Sequence, residues 1–229
     1  MNKPDYKQQI KDLSPKKYLP QVIKAISVAE KFHENQTRFS GEPYVNHSFR
    51  IAITLGEMGM DASSIIAGLL HNCITNSPER KLEISEEILH EFGQEVLTLV
   101  NQYNDISKAT ANTDTEFEIM TKFILNNAKD LRPVLIKLAD TLDNVRTIEY
   151  MPKERLNTKL QKIIYVYAPL AEYLNLDLIK KELEEKALEI YKPEEYQMIK
   201  RKMEESHYTN EMKEKYQQYL EELLKDISP

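Results

Sequence analysis

Apolar residues recur at intervals of three and four positions through most of this chain, and no stretch alternates apolar and polar residues as a half-buried strand does. This spacing places the apolar side chains on one face of a helix. Only 5 of the 229 residues are glycine and 10 are proline, so few positions interrupt helices. The sequence therefore predicts an all-α fold, a compact domain of many helices.

The helices can be placed from this periodicity and from the residues that begin or end helices. The first should run from Leu19 to about Asn35, with Val22, Ile26 and Phe32 on one face. The others are expected at about 47–58, 62–70, 85–92, 94–100, 116–127, 131–142, 159–173, 178–191, 193–202 and 209–227.

Four residues mark particular points in these helices. Asp61 and Ser85 are predicted N-caps, because their side chains accept a hydrogen bond from the free N–H groups of a first turn. Pro133 fits the first turn of its helix, where its missing N–H has no effect. Pro169 predicts a kink.

The polar and small residues at 107–115 predict a mobile connection between helices.

The composition divides the chain into three parts. These are a polar N-terminal lead-in at 1–18, a helical domain at 19–176, and a densely charged helical extension at 177–229. In the extension, a stripe of apolar residues would either face a core or mediate self-association, so an oligomer is one expectation. The stripe consists of Met212, Tyr216, Tyr219 and Leu223.

The charge and the apolar content limit the partners. A net charge of −6 and a pI near 5.5 argue against broad binding to nucleic acid or to an acidic membrane, but allow a local basic pocket for a phosphate ligand. No run approaches the roughly 18–20 apolar residues of a membrane span, and the N-terminus lacks the apolar segment of a signal peptide. The single cysteine, Cys73, fits a reducing compartment. We therefore expect a cytoplasmic protein.

A candidate metal site is assembled from three distant parts of the sequence. His71 and Asn72 follow the apolar run 65–70, His47 lies upstream and Asp140 far downstream. Imidazole nitrogens together with a carboxylate suit Mn²⁺, Fe²⁺ or Zn²⁺. Each residue also has a simpler explanation when taken singly. His71 would pack in a core, and Asp140 would pair with Lys137.

The sequence around these residues resembles a known family. Residues 38–47 read RFSGEPYVNH, residues 135–147 read LIKLADTLDNVRT, and residues 167–171 read YAPLA. Each resembles the corresponding segment of the HD-type hydrolase domain in RelA/SpoT-type alarmone proteins. The resemblance extends, in order, over about 20–203.

The resemblance implies an all-helical HD-type phosphohydrolase domain that removes the 3′-pyrophosphate from guanosine tetra- and pentaphosphate, (p)ppGpp, using one Mn²⁺. The implied metal ligands are His47, His71, Asn72 and Asp140. The implied nucleotide-binding residues are Arg38, Ser40, Glu42, Tyr44, Asn144, Arg146 and Thr147. In the long family members a synthetase domain follows, and the charged extension resembles the connector into it.

Two of the implied nucleotide-binding residues also suit phosphate on chemical grounds. The guanidinium groups of Arg38 and Arg146 can donate paired hydrogen bonds to phosphate oxygens. For Arg146, a salt bridge between helices is an equally good explanation.

The departures from the family pattern fall on the reactive groups. Asn72 stands where the family has an aspartate, and Thr75 and Asn76 stand where it has a Glu-Asp pair that activates water. Neither Thr75 nor Asn76 can act as a general base, a loss that costs about 10²–10⁴-fold in rate. The other departures, at positions where the family has basic residues, are Phe39, Thr141 and Asp143.

These departures leave three hypotheses. The favoured one is a domain that no longer hydrolyses (p)ppGpp and acts in binding a guanosine nucleotide ((p)ppGpp, GDP or GTP) or in regulating a synthetase, with binding of Mn²⁺ weakened or lost. It would be either part of a longer chain that contains the synthetase domain or, equally, a free-standing protein. The second is an active Mn²⁺-dependent pyrophosphohydrolase in which another oxygen, such as that of Asp143, replaces the missing ligand. The third is a helical partner protein with no ligand.

Overall fold

The computed structural model describes residues 5–109 and 130–205, and these ranges contain helices and no strand. A single antiparallel bridge joins Thr37 to Pro43. The α-helices are α1 (Tyr6–Leu13), α2 (Leu19–Phe32), α3 (Val45–Glu57), α4 (Ala62–Leu70), α5 (Lys81–Ala109), α6 (Arg132–Arg146), α7 (Lys153–Lys162), α8 (Ala168–Tyr173), α9 (Asp177–Tyr191) and α10 (Pro193–Glu205). The predicted all-α fold is therefore confirmed.

Helix α4 lies in the middle of the core and contacts α2, α3, α5 and α6. Nearly all of its side chains are buried, as expected for a helix that is apolar on every side. Gly68 allows α3 to come close, because a Cβ at this position would lie 2.5 Å from Cδ1 of Leu55. The chain leaves α4 at His71, so this close packing places His71 deep in the core.

Several helix boundaries follow from local sequence signals. The Asp61 side chain accepts a hydrogen bond from the backbone N–H of Ser64 (2.7 Å), and α4 spans the predicted 62–70. Pro133 lies in the first turn of α6, also as predicted. By contrast, the N-cap predicted at Ser85 is wrong, because α5 begins at Lys81, directly after a 3-10 turn at Pro78–Arg80.

Two predicted interruptions take a form that the sequence did not specify. The break near Gly93 is a kink inside α5, where Gly93 adopts a positive φ of 85°. Near Pro169, where the sequence predicts a kink, the chain forms a π-helical turn at Ile163–Tyr167. Proline lacks an N–H and its ring clashes with the carbonyl four residues earlier, so a wider turn ahead of it relieves both problems.

The N-terminal residues contribute to the core. Helix α1 is capped by Asp5, which accepts from the N–H of Gln8 (3.0 Å), and its Ile10 is fully buried where α1 contacts α3.

The chain divides into two compact units at 1–184 and 185–229. The division predicted from composition stays a prediction.

Some sequence predictions concern residues that are not described. Residues 107–109, the start of the predicted mobile connection, belong to α5. The rest of that connection and the helices predicted at 116–127 and 209–227 lie outside the described residues. Within the described ranges, no helix has the length and apolar character that crossing a bilayer requires.

Candidate metal centre

Three of the four predicted metal ligands converge in the core. His47 lies on α3, His71 follows α4 and Asp140 lies on α6, and all three side chains are buried. Their candidate ligand atoms lie within 4.8 Å of one another. Nε2 of His47 is 3.3 Å from Oδ1 of Asp140, and Nε2 of His71 is 4.0 Å from the same oxygen. We call these three residues the ligand cluster.

The ligand cluster fits a divalent metal ion. Two atoms that bind one ion at 2.0–2.2 Å lie roughly 3–3.5 Å apart at tetrahedral or octahedral angles. The separations involving Asp140 are close to this range. Nε2 of His71 is buried without a hydrogen-bond partner, which is costly for a polar atom unless a ligand completes it.

Both histidines present Nε2 to the cluster because Nδ1 is engaged elsewhere. Nδ1–H of His71 donates to the carbonyl of Gly68 (2.7 Å), and Nδ1–H of His47 donates to Oδ2 of Asp143 (2.7 Å). Hydrogen bonds of this kind orient metal-binding histidines in proteins. Burial lowers the pKa of His71 to about 3, so its imidazole is neutral and keeps the lone pair that a metal needs.

Asp140 is held as a carboxylate by its neighbours. Its Oδ2 accepts from Nζ of Lys137 (2.9 Å) and from the hydroxyl of Tyr103 (2.9 Å), while Oδ1 accepts from the amide of Asn144 (2.6 Å). Burial alone would raise the pKa of Asp140, but the charge of Lys137 and the contact with His47 hold that pKa well below its usual range. The pairing with Lys137 is therefore part of the site rather than an alternative to it.

Asn72 and the two residues at the positions of the family's acidic pair form a neutral network. The amide of Asn72 donates to the hydroxyl of Tyr44 (3.0 Å), and the hydroxyl of Thr75 donates to Oδ1 of Asn72 (3.3 Å). The Tyr44 hydroxyl also pairs with the side chain of Asn76. Burial raises the pKa of Tyr44, so none of these groups ionises near neutral pH. We call these four residues the neutral network.

Arg38 joins the loop before α3 to helix α6. Its guanidinium donates to Asp143 (2.7 Å), to the amide oxygen of Asn144 (2.8 Å) and to the hydroxyl of Thr147 (3.0 Å). A cleft of about 30 Å³ lies here, lined by Arg38, Phe39, Ser40, Asn144, Thr147 and Met151.

This cleft collects four of the predicted nucleotide-binding residues, Arg38, Ser40, Asn144 and Thr147. The Ser40 hydroxyl is buried there without a hydrogen-bond partner. The volume holds about two waters by the usual measure, so a guanine base would enter only if the loop moved outward.

Arg50 is a site residue that the sequence reasoning missed. It forms a two-pronged ion pair with Glu42 (2.7 and 2.8 Å) and donates to both oxygens of Asp143 (2.5 and 3.1 Å). Its position three residues after His47, on the same face of α3, is the signal that could have indicated it. Glu42, predicted to bind nucleotide, is thus already paired.

Two predicted residues lie apart from these groups. Arg146 pairs with Glu182 (2.5 and 2.7 Å) and lines a separate cleft with Leu142 and Leu176. Asp143, considered as a substitute metal ligand, instead receives hydrogen bonds from His47, Arg38 and Arg50, so it lies behind His47 rather than among the ligand atoms.

The fold and the ligand cluster together define an all-helical domain with two histidines and one aspartate at its centre. A profile of the HD domain matches residues 25–176. Proteins similar to this chain are named as (p)ppGpp synthases and hydrolases. The chain belongs to the HD domains of the RelA/SpoT family.

Three similar proteins illustrate the family. A GTP pyrophosphokinase of Streptomyces coelicolor is 37% identical over 183 residues, which is 80% of this chain and 21% of that protein. A guanosine-3′,5′-bis(diphosphate) 3′-pyrophosphohydrolase of Aquifex aeolicus is 36% identical over 81% of this chain and 26% of its own length. The bifunctional (p)ppGpp synthase/hydrolase SpoT of Escherichia coli is 33% identical over 84% of this chain and 27% of its own length. The chain thus spans about a quarter of these relatives.

Proposed function

We propose that this HD domain binds a guanosine nucleotide, (p)ppGpp, GDP or GTP, without hydrolysing it at an appreciable rate. The observation that carries the proposal is the contrast within the site. Three of the four expected metal ligands lie together in the ligand cluster, whereas the neutral network contains the positions at which the family resemblance implies water-activating acids.

The ligand cluster would hold the metal ion, with Mn²⁺ as the ion that the family resemblance implies. A bound ion of this kind polarises a phosphoryl oxygen and lowers the pKa of a bound water. His47, His71 and Asp140 supply one negative charge, and Asn72 adds none, so weakened Mn²⁺ binding is part of the proposal. The amide of Asn72 and the hydroxyl of Thr75 can position a water but cannot take its proton, and such a loss costs about 10²–10⁴-fold in rate.

The nucleotide would occupy the cleft beside Arg38. The unpartnered Ser40 hydroxyl is suited to the edge of a guanine base, and the guanidinium of Arg38 is suited to a phosphate oxygen. Asn144 lines the same cleft. Glu42 and Tyr44, on the same loop, and Thr147, on the facing helix, complete the proposed pocket. Arg146 forms an ion pair with Glu182, which supports a role in nucleotide binding without direct contact with the nucleotide.

Calorimetry with purified protein and guanosine tetraphosphate tests this proposal, together with an assay of pyrophosphate release in Mn²⁺. We expect binding without turnover, and at least about tenfold weaker binding for Arg38→Ala, which removes a charge-assisted contact. Arg132→Ala is the matched control, because Arg132 is also tied to carboxylates but lies away from the cleft. No heat with any guanine nucleotide would contradict the proposal and would favour a helical partner without a ligand.

A second candidate is an active Mn²⁺-dependent pyrophosphohydrolase, and the convergence of His47, His71 and Asp140 is the observation in its favour. The position of Asp143 argues against it, because the oxygens of Asp143 are taken by His47, Arg38 and Arg50. Turnover of roughly 1–10³ per second would establish this candidate and end the first.

We further propose that the domain regulates a (p)ppGpp synthetase domain in a longer chain. The support is that these relatives are about three times as long as this chain and that one of them is named as both synthase and hydrolase. Removal of residues 1–229 from such a chain should change its rate of (p)ppGpp synthesis. An unchanged rate would contradict the regulatory role and leave the binding proposal standing.

A further inference from the structure

Asp143 lies where two cations and a metal ligand meet. Its side chain is only 2% exposed, yet it receives hydrogen bonds from Nδ1 of His47 (2.7 Å), from Arg38 (2.7 Å) and from Arg50 (2.5 and 3.1 Å). A buried carboxylate is stable only when it is paired and fully hydrogen-bonded, and here both oxygens are engaged.

The contacts of Asp143 determine which way His47 faces. The Nδ1 contact with Asp143 (2.7 Å) is much shorter than the Nε2 contact with Asp140 (3.3 Å). Both oxygens of Asp143 accept from guanidinium groups, which can only donate, so Asp143 also acts as the acceptor toward His47. The proton therefore lies on Nδ1 of His47, and Nε2 faces the ligand cluster.

The same carboxylate also fastens the loop that carries the proposed nucleotide-binding residues. Arg38 extends from this loop to Asp143, and Arg50 links Asp143 to Glu42 of the same loop. Removal of the charge at Asp143 would leave two guanidinium groups sharing one remaining carboxylate, that of Glu42. The loop and His47 therefore depend on a single side chain of α6.

We propose that Asp143 is a positioning residue, which orients His47 for metal binding and ties the Arg38 loop to the metal-binding helix. In this role Asp143 contacts His47, Arg38 and Arg50 and does not itself bind the metal ion. The proposal rests on the proposed function only in treating the ligand cluster as a metal site.

The first test measures the proton positions on the histidine rings of metal-free protein by ¹⁵N NMR, with His47→Gln to assign the signals. We expect His47 to carry its proton on Nδ1 in the wild type. A wild-type His47 without a proton on Nδ1 would overturn the proposal. The proton position is read on the wild-type protein, and the variant serves only for the assignment.

The second test titrates Zn²⁺ alone, without nucleotide, because nitrogen-rich sites bind Zn²⁺ more tightly than Mn²⁺. Asp143→Asn should weaken Zn²⁺ binding by about 10–100-fold, the usual effect of losing a group that orients a histidine ligand. Asp130→Asn is the matched control, because Asp130 also pairs with an arginine, Arg132, but lies away from the cluster.

Unchanged Zn²⁺ affinity in Asp143→Asn would overturn the proposal, as would equal losses in Asp143→Asn and Asp130→Asn. A wild-type protein that takes up no Zn²⁺ would overturn it too. None of these outcomes affects the nucleotide-binding result of the proposed function, which is measured separately by calorimetry.

Discussion

The ligand cluster and the neutral network lie side by side, with the ring of Tyr44 5.5 Å from the ring of His47, but they differ in chemistry. The cluster contains a buried carboxylate, which is paired with Lys137, and an imidazole nitrogen without a hydrogen-bond partner. The network consists of two amides and two hydroxyls that hydrogen bond to one another. The difference teaches that a buried cluster with the donor atoms for a metal ion can lie beside polar groups that satisfy one another and include no acid.

The largest expected effect comes from converting the network back to acids. The variant Asn72→Asp, Thr75→Glu, Asn76→Asp should raise Mn²⁺-dependent pyrophosphate release from guanosine tetraphosphate by roughly 10²–10⁴-fold, since general-base catalysis contributes that much. Adding His71→Gln to this variant should abolish the gain, because the cluster would lose a ligand. A folded triple variant with no gain would show that the two regions are no longer in register.

The next effect tests how much the cluster depends on its buried charges. Lys137→Met leaves Asp140 buried without its cation and should lower the free energy of unfolding by about 3–5 kcal/mol, measured in urea. Lys24→Met, which removes an exposed pair with Glu91, should cost less than about 1 kcal/mol. Asp140→Leu added to Lys137→Met should recover part of the loss. Equal small losses for both lysines would indicate that Asp140 is not held as a buried carboxylate.

How far the sequence predicts each region depends on how local the controlling interactions are. The Asp61 cap and the limits of α4 depend on neighbouring residues, and both were predicted correctly. Ser85 was predicted wrongly as a cap, because a turn that begins at Pro78 starts the helix earlier. The convergence of the ligand cluster was predicted from the family resemblance, since no rule of sequence spacing brings His71 and Asp140 together.

The contacts around Asp143 could not be predicted, for the same physical reason. Arg50 and His47 contact Asp143 across 93 and 96 residues of sequence, so nothing in the local pattern of either segment indicates the pairing.

The neutral network was only half predicted. The sequence located the missing acids at Asn72, Thr75 and Asn76, but not the hydrogen bonds through Tyr44 that now join Asn72 and Asn76.

A smaller effect is expected from acid, in metal-free protein kept with a chelator. Burial lowers the pKa of His71 to about 3, from 6.5 in an unfolded chain. Between these values the unfolded state binds a proton that the folded state does not, so stability is complete above pH 6.5 and falls as the pH drops. The slope should approach about 1.4 kcal/mol per pH unit from this group.

Urea denaturation between pH 6.5 and 5.5 measures this slope, in a range where the carboxylates stay largely ionised. His71→Gln should flatten it by about one proton equivalent. His33, whose pKa is also lowered by burial, should account for part of the remaining slope. A slope that is the same in the wild type and in His71→Gln would mean that His71 is not buried in its neutral form.

The smallest effect separates two arginines that the family resemblance treats alike. Arg146 is 39% exposed and paired with Glu182 in a separate cleft, whereas Arg38 is 12% exposed and joins the loop to α6. Arg146→Ala should change the free energy of unfolding by less than about 1 kcal/mol, as exposed ion pairs do. Because its guanidinium does not line the Arg38 cleft, nucleotide affinity by calorimetry should stay within about twofold of the wild type, a difference of roughly 0.4 kcal/mol.

Glu182→Gln is the matched control for Arg146→Ala, since it breaks the same pair from the other side. A loss of affinity in Arg146→Ala but not in Glu182→Gln would show that Arg146 contacts the nucleotide directly, and would extend the binding site beyond the Arg38 cleft.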